Sequence, residues 1–187
     1  MTVAVTLEAV SCVFGSGAQA VRAVEHVDLT IEGGAGEDTV STSFITHSKN
    51  VTLGSFQCDL GAGVSTVTIT PETKLGVTKN ITLTAKNADA VAASFRVGSP
   101  GDIEVGGKVS AKFGSGTNSF IVGTDNLVSA IGQSVAVIGK ITCIAGSGND
   151  KFLIGAKTIT AGGISAKLGD GTNDFTLGVD PATNLEP

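Results

Sequence analysis

Gly114-Ser115-Gly116-Thr117-Asn118-Ser119-Phe120, Gly146-Ser147-Gly148-Asn149-Asp150-Lys151-Phe152 and Gly169-Asp170-Gly171-Thr172-Asn173-Asp174-Phe175 are three copies of one phrase. Two glycines flank a small residue, a short polar run follows, and a phenylalanine closes it. Each copy runs on through another apolar residue to a glycine, at Gly123, Gly155 and Gly178. Looser copies end at Val40 (Gly34-Ala35-Gly36-Glu37-Asp38-Thr39) and Val67 (Gly61-Ala62-Gly63-Val64-Ser65-Thr66). A degenerate one, without its leading glycines, is Phe95-Arg96-Val97-Gly98. The apolar anchors at 40, 67, 95, 120, 152 and 175 are spaced 27, 28, 25, 32 and 23 residues apart. Self-similarity at such a period marks a stacked-repeat architecture.

Two more strands fit between successive copies. One follows a two-residue corner: Lys49-Asn50-Val51-Thr52-Leu53, Lys79-Asn80-Ile81-Thr82-Leu83, Gly107-Lys108-Val109-Ser110-Ala111, Gly139-Lys140-Ile141-Thr142-Cys143 and Gly162-Gly163-Ile164-Ser165-Ala166. The other is shorter: Leu75-Gly76-Val77, Ile103-Glu104-Val105, Val135-Ala136-Val137 and the stretch around Ile159. Three strands per repeat, joined by two to five residues, leave no room for a crossover helix. One repeat cannot bury its apolar positions alone, but repeats stacked at about 4.8 Å bury a continuous column. The fold expected is an all-β parallel β-helix (β-solenoid), three short strands per coil and six to seven coils. Val40, Val67, Phe95, Phe120, Phe152 and Phe175 form one inward stack in this reading. The corner glycines, with Asn50, Asn80 and Asn118, take positive φ. The competing β-sandwich of hairpins would need Asn-Gly or Asp-Gly turns, and Asp170-Gly171 is the one such dipeptide.

Composition agrees. The 187 residues hold 26 Gly, 22 Thr and 21 Val, with no Trp or Tyr, a profile of strands and tight turns. An apolar content of 41% against 16% charge argues against a disordered chain. A net charge of −5 argues against nucleic-acid binding. No stretch approaches eighteen consecutive apolar residues, so no membrane span is expected. No secretory signal is evident at the start, so either the protein is not exported by that route or the chain is an excised or processed piece of something longer. The division expected is an N-terminal strand, first coil or cap over 1–26, solenoid repeats over 27–178 and a tail over 179–187. Met1 to Val10 alternates like a strand with no clear partner, and a short helix from Ser16 through Val24 competes with an irregular first coil. Three cysteines form no metal spacing; Cys143 reads as a core residue, and a Cys12–Cys58 bridge stays open.

Gly33-Gly34-Ala35-Gly36-Glu37-Asp38-Thr39-Val40 resembles the nonapeptide of calcium-binding RTX β-rolls, and Ala145 to Phe152 nearly does. Over most of 27–178 the chain is also similar to the repetitive β-helical adhesin-like proteins of bacterial surfaces. That resemblance implies a structural role outside the cell or at its surface.

Calcium would need carboxylates at the recurring Asp position, which reads Asp38, Ser65, Asn118, Asp150 and Asn173. Neutral Asn and Ser cannot balance a divalent charge as carboxylates do, so a hydrogen-bonded polar ladder is the simpler reading. Asp38, Asp150, Asp170 and Asp174 are the carboxylates to watch. Catalytic machinery is not evident. Glu72, Asp89, Asp102, Glu104 and Asp125 form no recurring pair, His26 and His47 are solitary, and no aromatic platform for sugars exists. Paired threonines at Thr66/Thr68 and Thr158/Thr160 suggest an ice-binding array, but equivalent repeats interrupt it. The function expected is a non-catalytic, non-enzymatic structural solenoid, extracellular or at the cell surface. It would self-associate through its ends into a filament, or form part of a longer array. The alternatives are a glycan-binding or glycan-cleaving β-helix and a calcium-binding β-roll.

Overall fold

The computed structural model describes residues 4–8, 27–34, 36–44, 51–71, 74–86, 92–97, 101–124 and 133–178. Its elements are all strands. β1 (Ala4–Glu8) precedes the first coil, which holds β2 (Asp28–Glu32), β3 (Asp38–Phe44) and β4 (Val51–Leu53). The second coil holds β5 (Ser55–Leu60), β6 (Ser65–Pro71) and β7 (Lys74–Val77). β8 (Ile81–Ala85), β9 (Ala93–Val97) and β10 (Asp102–Val105) make the third, and β11 (Val109–Phe113) with β12 (Asn118–Gly123) opens the fourth. β13 (Ser134–Ile144) turns a corner unbroken, closing the fourth coil and opening the fifth, which continues in β14 (Lys151–Gly155). β15 (Thr158–Lys167) turns the next corner likewise, and β16 (Asp174–Leu177) follows. The described residues thus carry five three-strand coils and the first two strands of a sixth, slightly fewer than the six to seven expected.

Every neighbour between coils is parallel, which makes the chain a β-solenoid and excludes the hairpin sandwich. Three faces result. The first stacks β2, β5, β8, β11 and the second halves of β13 and β15. The second stacks β3, β6, β9, β12, β14 and β16. The third stacks β4, β7, β10 and the first halves of β13 and β15. The corner between Val137 and Lys140 carries one residue more than its neighbour and shifts the register there.

The anchor residues of the repeat lie in one file: Val40 pairs with Val67, Val67 with Phe95, Phe95 with Phe120, Phe120 with Phe152 and Phe152 with Phe175. Burial alternates along β5 and β7 to β11 as period 2 requires, with Ile81, Leu83 and Ala85 inward and Thr82 and Thr84 outward, whereas Ile121 of β12 and Leu153 of β14 are buried although they lie on the outward file of the second face. The interior is a column of such side chains from all three faces. The second glycine of each Gly-x-Gly has positive φ (Gly36, Gly63, Gly116, Gly148, Gly171). A Cβ on Gly148 would overlap the carbonyl oxygen of Gly116 one coil back. The motif therefore exists because backbone packs directly on backbone at that corner.

Three expectations need correction. Val51-Thr52-Leu53 pairs with Leu75-Gly76-Val77, so it belongs to the third face. The strand equivalent to Ile81-Thr82-Leu83 in that repeat is Phe56-Gln57-Cys58, reached through the single corner residue Gly54. Asn118 is the first residue of β12 rather than a positive-φ corner. The N-terminal strand has a partner: β1 lies antiparallel on β2, from Ala4 opposite Glu32 to Glu8 opposite Asp28. The Ser16–Val24 helix and the 179–187 tail lie outside the described residues.

Candidate functional site

The recurring Asp position is the residue that leads each second-face strand, and register stacks Asp38, Ser65, Ala93, Asn118, Asp150 and Asn173 there. Asp38, Ser65, Asn118 and Asp150 are buried. Asp150 Oδ1 accepts from the backbone N–H of Asn118 (3.1 Å) and from its side-chain amide (2.8 Å). Asn173 Oδ1 in turn accepts from the backbone N–H of Asp150 (3.0 Å). Each asparagine also donates its amide into its own loop, Asn118 to Gly116 O (3.1 Å) and Gly114 O (3.3 Å), Asn173 to Gly169 O (3.1 Å). Asp150 and Asn173 thereby tie their Gly-x-Gly loops to the preceding coil. Burial favours such satisfaction, because an unmade buried hydrogen bond is expensive, yet Asp38 Oδ2 and Asp150 Oδ2 have no partner among the described residues.

The four watched carboxylates do not converge. Asp38 is in the first coil and Asp150 in the fifth. Asp170 sits in the exposed turn before β16, and Asp174 is an exposed residue that accepts from Thr176 Oγ1 (3.0 Å). Among the described residues no three His, Cys, Asp or Glu side chains group as metal ligands. The ladder does not fit calcium: N–H groups of Asn118 point at Asp150 Oδ1, where a cation's coordination sphere would need oxygens. His26, His47, Glu72, Asp89 and Asp125 lie outside the described residues.

Cys58 and Cys143 are free, buried thiols, each pushed up to about 12 mainly by burial. The charges of Asp59 and Asp38 add to this at Cys58, and that of Asp150 at Cys143. The Cys12–Cys58 bridge is not formed, because Cys58 points into the core in register between Ile31 and Leu83.

One juxtaposition was not visible in the chain order. On the third face Lys74 pairs in register with Asp102 and forms an ion pair with Glu104. Gly76, between Thr52 and Glu104, leaves a shallow depression of about 360 Å³ lined also by Thr78 and Gly106. Asp102 and Glu104 share one strand, so the carboxylates are less scattered than expected. Lys74 and Asp102 stand 28 residues apart, one repeat step, which is the signal that finds them. Their charges are already engaged: Glu104 holds Lys74, and Asp102 Oδ1 accepts from the Ser134 N–H (2.7 Å).

On the first face Asp28 accepts from Ser55 Oγ (2.7 Å) and from Lys79 Nζ (2.9 Å). The Lys79 hydrogen bond, then that of Ser55, holds the Asp28 carboxyl below its ordinary range. Compared with protein-family models, curated proteins and solved structures, the chain matches none.

Proposed function

We propose that this chain is a non-catalytic structural rod, a module of an extracellular or cell-surface protein that stacks end to end in a filament or longer array. The observation that carries the reading is the state of the last coil. Ile164, Phe175 and Leu177 are 36%, 47% and 48% exposed, although the residues one coil back in the same files, Ile141, Phe152 and Ile154, are fully buried. These side chains continue the inward files of the core, and no further layer lies above them among the described residues. Another coil in the same register would close the column and pair the edges of β15 and β16, which have no outer neighbour among the described residues and which solenoids otherwise protect. At the other end β1 covers the edge of β2, while β3 and β4 have no outer neighbour among the described residues.

Size-exclusion chromatography with light scattering, together with negative-stain microscopy, tests this. The reading expects species longer than one rod, shortened to single rods by Phe175→Asp or Leu177→Lys. A wild-type chain that stays monomeric at all concentrations would defeat it. A glycan-binding reading is favoured by one observation, the lysine flanked by two carboxylates at the third-face depression. Binding on a glycan array that Lys74→Ala abolishes would favour it.

A further inference from the structure

The outward residues of the first face are sorted by charge along the rod. β2 and β5 present Asp28, Glu32 and Asp59, and no outward cation. β8 presents Thr82 and Thr84 between two lysines that lean toward the acidic end, Lys79 to Asp28 and Lys86 to Asp59 (3.5 Å). Lys112 lies on β11 with Lys108 just before it, Lys140 and Lys167 follow on the later coils, and no carboxylate lies among them. All four lysines are exposed and, like Glu32, form no ion pair with the described residues. Along the middle of the face, from the acidic end to the basic end, runs an uninterrupted file of neutral polar residues: Thr30, Gln57, Thr82, Ser110, Thr142 and Ser165.

We propose that the first face is a lateral docking surface for a second copy of this chain, laid face to face with its rod axis reversed. Reversal about a two-fold axis that crosses the face between β8 and β11 sets each file from β2 to β15 against itself in opposite order. Glu32 then meets Lys167, Asn80 meets Lys108, Thr84 meets Lys112 and Ser55 meets Lys140, each twice by symmetry, while Asp28 and Asp59, held by Lys79 and Lys86, meet Gly163 and Ile144. The neutral file meets itself, Thr82 against Ser110 and Gln57 against Thr142, where hydroxyls and amides both donate and accept. The parallel arrangement is excluded by the same charges, because Asp28 and Glu32 would face their own kind. A free polyanion would meet the same lysines, but the net charge of −5 repels it and the acidic margin would go unused. The partner's acidic margin has the matching width and the same coil spacing. Six strands at about 4.8 Å and about five residues of width cover roughly 450 Å² per copy. That is at the low end of specific interfaces, so the dimer is weak and concentration-dependent. The pairing uses a surface separate from the rod ends and stands whether or not the ends stack.

The test uses the full chain with Thr82→Cys, at mid-face, and Ser134→Cys, one coil further along on the third face, each treated with a short bismaleimide. Lateral pairing gives a covalent dimer for Thr82→Cys and none above the wild-type background for Ser134→Cys. Glu32→Lys and Lys167→Glu each weaken association at least tenfold, and an equimolar mixture of the two restores it, since every contact in the mixed dimer regains opposite charges. Raising salt from 50 to 500 mM weakens the wild-type dimer. These are exposed positions, and circular dichroism checks that the variants keep the fold. End stacking alone yields no Thr82→Cys dimer, which overturns the proposal. Binding of heparin fragments that Lys140→Glu/Lys167→Glu abolishes, with no Thr82→Cys dimer, also overturns it and assigns the lysines to a polyanion.

Discussion

Phe120 and Phe152, thirty-two residues apart, stack ring on ring with centroids 5.3 Å apart and planes 12° from parallel. That separation is close to the spacing of neighbouring strands, so the rings report the coil rise directly. Phe152 also meets Phe175 edge-on at 5.3 Å, while Phe95 turns aside to stack on Phe113 of the first face at 4.6 Å. Phe152 has no solvent to relax into, whereas Phe175 is half exposed. Phe152→Ala should therefore cost about 3–5 kcal/mol in urea unfolding, and Phe175→Ala less than half as much in the monomer. Equal costs would show that the last layer is not open.

Backbone packing at the Gly-x-Gly corners predicts a contrast between two alanine substitutions. Gly148 has φ 134° and faces the Gly116 carbonyl, so Gly148→Ala should destabilise by at least about 2 kcal/mol. Gly163, on β15, has only the Lys140 side chain at ordinary contact distance, and Gly163→Ala should be neutral or slightly stabilising. Thermal denaturation of the pair decides it.

Asp150 is 2% exposed, and its Oδ2 has no hydrogen-bond partner among the described residues. Asn118 and Asn173, one coil to either side, use an amide at the equivalent position to donate into their own glycine loops. Asp150→Asn keeps the acceptor for Asn118 and gains such a donor, so it should stabilise by about 1–2 kcal/mol. Asp150→Ala should destabilise by a similar amount. Calcium at millimolar concentration should leave the wild-type Tm unchanged. A large calcium-induced rise that Asp150→Asn removes would mean the ladder does bind the ion.

Alkaline pH gives a signed prediction. Cys58 and Cys143 ionise at about 12 in the fold against 9.0 for an ordinary thiol. Between those values the unfolded chain loses protons that the folded one keeps, so stability falls as pH rises from about 9 toward 12. Below 9 these thiols contribute no pH dependence. Urea midpoints measured across pH 8–11 should decline, and more gently once Cys58→Ala and Cys143→Ala are introduced. Native Cys58 and Cys143 should also resist iodoacetamide at pH 8.

Much of this fold was legible because one corner repeats its chemistry. The glycines that admit backbone contact fix where each second-face strand begins, and the six anchors follow in register. The third-face strand Val51–Leu53 was misplaced because Lys49-Asn50 mimics the Lys79-Asn80 corner, while the true corner is the lone Gly54. The polar ladder was visible as Asp, Ser and Asn at one position. That it is buried was not, because polarity alone suggests an outer edge. The Lys74–Asp102–Glu104 cluster and the charge-sorted first face emerge only when residues are read across coils. Antiparallel pairing of β1 had no signal, since nothing in the repeat names its partner.

The central claim, parallel in-register stacking, is tested most directly by pulsed dipolar spectroscopy on nitroxide pairs along the second face. With Cys12→Ser as background, Thr39→Cys is paired in turn with Ser119→Cys, Lys151→Cys and Asp174→Cys. All lie on one outward file at three, four and five coils' separation. Stacked coils predict mean distances of about 14, 19 and 24 Å, rising by one strand spacing each time. Distances that fail to rise in equal steps, or that fall between the second and third pair, would contradict it.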